Sequence, residues 1–132
     1  MRRALDERIE RIEAAMHAGE AVLAGEAPSG DLLARRTIAA ALMVGAYQLH
    51  VEREYFDRYA AHPDEAVRTA ARALREECAA LRARLHAGAR KTAAEAPDPA
   101  DFTGKARAMN AAFRDHFAKV RALIDRAEPR AA

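Results

Sequence analysis

The chain reads as all-α, an up-down-up-down four-helix bundle formed by residues 1–132 as a single domain. Three observations point there. About half of the 132 residues are apolar, much of that alanine, and aromatics reach only 5%, a composition that favours helix throughout. Apolar residues recur three and four apart in four separate segments. The segments are joined by short breaks rich in glycine, proline and aspartate, and short connections between helices make neighbours antiparallel.

The first segment carries Leu5, Ile9, Ile12, Met16 and Leu23 and ends in "AGEAPSGD". The second begins near Asp31, a residue type that caps helix N-termini, and its stripe is Ile38, Leu42, Leu49 and Phe56, with Met43 and Tyr47 as a second row. It stops at "AAHPDEA", where Pro63 suits the first turn of the next helix and Asp64 and Glu65 suit its dipole. Val67, Ala71, Leu74, Cys78, Leu81 and Leu85 line the third. After the break "AGARKTAAEAPDPAD", Asp98 before Pro99 is the expected cap of the fourth, although Gly104 leaves its start open by several residues. Its stripe is Met109, Phe113, His116, Val120 and Leu123, and Pro129 ends it.

Charge narrows the function. Lys and Arg number 22 against 20 acidic residues, for a net +2, and the two signs are interspersed rather than blocked, which argues against a nucleic-acid surface. The start "MRRALDERIERIE" is too charged for a signal peptide, and no apolar run is long enough to span a membrane. One cysteine, Cys78, cannot form an internal disulfide, so a reducing, cytoplasmic setting is expected. No nucleophile elbow, P-loop or dinucleotide fingerprint is present, so the chain is not read as an enzyme.

The polar residues of interest follow from heights. Helices rise about 1.5 Å per residue, so residues equidistant from a turn lie level. Counting from Pro63 and from Ala96 brings His50, Glu77 and His116 to one height, with Glu54 one turn from His50 and with Asp6 or Glu10 as the first helix's contribution. His17, His62 and His86 fall away as surface or edge residues. Tyr47, Tyr55 and Tyr59 read as helix-edge residues, Cys78 as a buried small hydrophobe, and Arg68, Arg72 and Arg75 as a solvated face.

"YQLHVEREYF" and "FRDHFAKVRALI" resemble the ligand motifs of the hemerythrin-like (HHE cation-binding) family. That resemblance implies a bundle holding non-haem iron, with His50 and Glu54 at the second-helix positions and His116 at the fourth-helix one. Val120 stands where the last carboxylate would be, Glu77 where the third helix gives histidine, and the first helix offers none. The implied ligands are therefore His50, Glu54, Glu77 and His116. They would serve Fe, mononuclear or di-iron, or Zn, in iron or dioxygen binding or sensing, or they mark a site that has lost its metal. The competing reading is a metal-free helical interaction or dimerisation module, in which the same residues form a polar layer that fixes register and the chain pairs as a homodimer.

Overall fold

The computed structural model describes residues 2–24, 30–94 and 98–129, and among them there are only helices. Helix α1 is Arg2–Ala24. Helix α2 starts as Gly30–Val51, passes through a π-helical turn at Glu52–Phe56 and finishes with one α turn, Asp57–Tyr59. Helices α3, Glu65–Ala94, and α4, Pro99–Ala127, complete the set. The side chain of Asp31, the expected cap of α2, lies outside the described residues.

Two helix starts are set by aspartates. Asp98 accepts from the Ala100 amide with Pro99 in the first turn, as its sequence predicts, and α4 runs straight through Gly104. Asp64 accepts from the Ala66 amide at 2.9 Å, so it is the cap of α3 rather than part of its first turn, and Pro63 lies outside the helix. Both carboxylates satisfy amides that the helix itself leaves without acceptors.

One core runs between the four helices. Leu5, Ile9, Ile12 and Met16 of α1 meet Val67, Ala71, Leu74, Cys78 and Leu81 of α3 and Phe113, Phe117, Val120, Leu123 and Ile124 of α4. From α2 come Val44, Tyr47, Val51, Tyr55, Phe56 and Tyr59. Fully burying one such aromatic or aliphatic side chain contributes about 1.5–3 kcal/mol.

Here the structure corrects the reading of α2. Ile38, Leu42 and Leu49, three of the four residues in its expected core stripe, are 46%, 70% and 50% exposed, whereas Tyr47, Tyr55 and Tyr59 are at most 2% exposed. The reason is compositional. From Thr37 to Val51 the helix carries no charged residue other than His50, so every face is apolar enough to bury. The large rings remove more apolar area from water than the aliphatic stripe, and they took the core.

Polar pairs tie the helix ends. Arg2 at the start of α1 bonds Asp125 near the end of α4, and Asn110 and Arg114 of α4 reach Glu20 near the end of α1. Between α2 and α3, Arg75 pairs with Asp57 and Arg82 donates to Gln48 at 2.9 Å. Gly45 makes room for that arginine, since a Cβ there would sit 3.3 Å from the Arg82 guanidinium. At the α2–α3 turn, His62 takes the Asp64 amide on Nδ1 and donates from Nε2 to the Ala127 carbonyl, while Arg58 and the Tyr59 hydroxyl donate to Glu128. This is the turn end of the molecule. Away from it, residues from the later parts of α1 and α3 and the early parts of α2 and α4 line a cavity of about 530 Å³.

Candidate functional site

A buried polar axis crosses the turn-end half. His116 on α4 is 0% exposed and uses both ring nitrogens: Nε2 lies 2.9 Å from the Tyr47 hydroxyl on α2, and Nδ1 lies 3.0 Å from Glu77 Oε1 on α3. The other Glu77 oxygen accepts from Lys119 at 2.9 Å, and Lys119 also pairs with Asp115.

Charge states follow from the surroundings. Burial holds His116 below its ordinary value, with the Glu77 hydrogen bond opposing, so the imidazole is neutral. Burial alone would raise Glu77, but the bonds from Lys119 and His116 outweigh it and keep the carboxylate ionised. Burial pushes the Tyr47 phenol up, so it keeps its proton. Only one tautomer satisfies all three groups: Nδ1–H donates to Glu77, and Nε2 accepts from the Tyr47 O–H.

So arranged, both ring nitrogens of His116 are engaged. A metal at Nε2 would have to displace a hydroxyl that is itself fully buried. Tyr47, at 0% exposure, has no route to a substrate. What the arrangement does supply is register. Tyr47, His116 and Glu77 must come from three helices at matched heights, and a slip of any one strands a buried polar group.

His50 and Glu54 do not join this axis. The π turn is the physical cause: its backbone bonds run from i+5 to i, as in Asp57 N–H to the Glu52 carbonyl, so side chains five apart come into line instead of four. His50 accordingly sets its ring edge-on to Tyr55, five residues later, at 6.2 Å, and Glu54 is exposed. Burial first, then the positive charge of Arg8, holds His50 below its ordinary value. Its Nε2 and the Tyr55 hydroxyl are both buried and have no hydrogen-bond partner among the described residues. Asp6 lies within reach of Arg121 and Glu10 is exposed, so neither first-helix candidate reaches the axis.

Among the described residues, no three His, Cys, Asp or Glu side chains gather as a metal ion would require. The expected set of His50, Glu54, Glu77 and His116 thus splits into one engaged pair, one inward histidine turned elsewhere and one outward carboxylate. In this arrangement the donors do not fit iron or zinc. Val120, where the family pattern has a carboxylate, is a fully buried core residue.

The chain matches no family model, no curated protein and no solved structure.

The remaining candidates sort by their contacts. His17 and His86 are exposed, His86 within 3.4 Å of Arg82. Arg72 is on the solvated face as expected, but Arg68 caps the carbonyls of His62 and Pro63 and Arg75 holds Asp57. Cys78 is buried, and burial pushes its thiol up to about 12, so it is chemically quiet. Tyr47 is the site residue the sequence reading missed. Its signal was present: Val44, Tyr47, Val51, Tyr55 and Tyr59 follow one another at spacings of three or four, a second stripe as regular as the one chosen.

The other distinctive feature is what that stripe leaves outside. Ile38, Ala39, Leu42, Ala46 and Leu49 form an exposed apolar face on α2, bordered by Met43 at 36% exposure. Large exposed apolar patches of this kind mark surfaces that meet another molecule.

Proposed function

We propose that the chain is an up-down-up-down four-helix bundle that acts by association rather than catalysis: a metal-free helical module whose two copies pair through α2. The observation that carries this is the exposed stripe Ile38, Leu42, Ala46 and Leu49. Its pattern supports a second copy of itself as the partner. Laid antiparallel about its middle, the stripe sets Ile38 against the partner's Leu49 and the protruding Leu42 against the partner's small Ala46, a self-complementary match of the kind a two-fold interface needs. The stripe carries no charge to repel its own image. In this reading the Tyr47–His116–Glu77 axis holds the helices in register so that α2 presents a fixed face, and the buried, unreactive Cys78 suits a reducing cytoplasmic setting. Sedimentation equilibrium tests the pairing: wild type is expected as a dimer, and Leu42→Lys as a monomer of unchanged helix content. A monomeric wild type across the micromolar range, or a Leu42→Lys dimer, would overturn it.

The family resemblance supports a second reading, with His50, Glu54, Glu77 and His116 binding iron or zinc. The partnerless, buried Nε2 of His50 is the observation in its favour; the outward Glu54 and the doubly engaged His116 weigh against it. Metal analysis of untagged protein after anaerobic reconstitution separates the two. We expect background iron and zinc, and a stoichiometric metal lost in His50→Ala/His116→Ala would establish the second reading instead.

A further inference from the structure

We propose that the cavity lined by all four helices binds a small amphipathic anion, an apolar body with one acidic head. The cavity exists because all four helices give up volume at the same level. Ala15 and Gly19 on α1, Ala40 on α2, Gly88 on α3 and Ala106 on α4 all face it, and a Cβ built on Gly19 or Gly88 would meet nothing within 4 Å. Protein interiors ordinarily fill such space, and about 530 Å³ lies within the roughly 300–1,000 Å³ range of small-molecule pockets.

Its walls set the body of the ligand. Met16, Leu33, Leu85, Phe102 and Met109 line it, and the two methionines add flexible, polarisable surface that adapts to unbranched chains. The threonines that border it are already satisfied: Thr37 donates to the Leu33 carbonyl and Thr92 to the Gly88 carbonyl, each at 2.8 Å. Little inside therefore asks for a polar ligand.

The mouth sets the head. Arg36, Arg84, Lys91 and Lys105 border the cavity from three helices, against two acids among the described residues, Asp98 and Asp101. One of those acids, Asp98, is occupied as the cap of α4. Among the described residues none of the four cations is in an ion pair. Cations gathered without partners around an apolar opening complement an anion whose tail enters and whose head stays at the rim.

Calorimetric titration of the full chain with decanoate, decanol and decyltrimethylammonium, each below its micelle concentration, tests this. Decanoate is expected to saturate one site per chain, decanol to bind about tenfold more weakly, and the cation more weakly still. Gly19→Leu/Gly88→Leu fills the space and is expected to abolish decanoate binding while raising the melting temperature, which shows that the fold is kept. Arg36→Glu/Lys105→Glu is expected to weaken decanoate by about tenfold or more and leave decanol unchanged. No saturable decanoate binding, undiminished binding in the filled variant, or equal affinity for the anion and the cation would each overturn the proposal. Because the readout is stoichiometry per chain, it stands or falls apart from dimerisation.

Discussion

The two halves of this four-helix molecule are built on opposite plans. At the turn end Tyr47, Tyr55, Phe56, Tyr59, Phe113 and Phe117 close the space, and the polar groups of Tyr47, His116 and Glu77 bond one another across three helices. In the other half the same four helices present alanine and glycine and leave a cavity inside, while the apolar face of α2 begins there at Ile38 and runs on past Tyr47 to Leu49. The contrast teaches where specification and use are separated. Bulky rings and a three-helix hydrogen-bond chain fix the helices in one half and the other half keeps internal space, while the apolar face of α2 runs along both.

The comparison breaks first on truncation. We predict that Phe117→Ala costs about 3–5 kcal/mol in urea unfolding, because it opens a cavity in a closed core. Phe102→Ala, which only widens an existing cavity, should cost less than about 1.5 kcal/mol. Equal costs would mean that the halves are packed alike. A smaller loss, about 1–3 kcal/mol, is expected for Tyr47→Phe, since His116 Nε2 is left buried without a donor while Nδ1 stays committed to Glu77.

The axis also predicts a pH dependence. His116 has its folded value held below the ordinary 6.5, so the unfolded chain takes up a proton first as pH falls. Stability is complete above 6.5 and declines below it, by up to about 1.4 kcal/mol per pH unit for one histidine. His50, lowered mainly by burial, acts in the same direction. Glu77, held below its ordinary 4.5, adds a further loss as pH falls through that region. Urea midpoints taken between pH 7.5 and 4 should show this slope, and His116→Asn should reduce it. A flat profile in the wild type would contradict the neutral, buried imidazole.

The smallest effects sharpen the contrast at two glycines. Gly88→Ala should stabilise by about 0.5–1 kcal/mol, helix propensity with nothing in the way. Gly45→Ala should gain less, because its methyl must shift the Arg82 side chain that lies 3.3 Å away. Thermal melts of the two variants measure the difference.

How much of this could be read beforehand divides along the same line. Helix content, the stop before α3, the Asp98 cap and the core stripes of α1, α3 and α4 were legible, since those helices have one apolar face and one charged one; the stretch from Ala87 read as a break is instead helical through Ala94. The pairing of Glu77 with His116 was legible too, because both lie on helices of regular phase. Helix α2 was not. With all its faces apolar, periodicity could not choose between the Leu42 and Tyr47 rows, and side-chain size decided. The π turn then moved Glu54 out of line with His50, and nothing in a count of fours anticipates a turn of five. The cavity was hidden for a further reason: alanine and glycine read as helix formers and breakers, not as missing volume, until four helices place them at one level.

The pairing of α2 with its own copy is most directly tested by cysteine crosslinking. Residues 38 and 49 are roughly 16 Å apart along one helix, too far for a disulfide within a chain. Under mild oxidation Ile38→Cys/Leu49→Cys is predicted to form a covalent dimer, since antiparallel pairing brings each new thiol to the other's position on the partner, while Ile38→Cys alone stays uncrosslinked. Failure of the double variant to crosslink, or equal crosslinking of Ile38→Cys alone, would contradict the account.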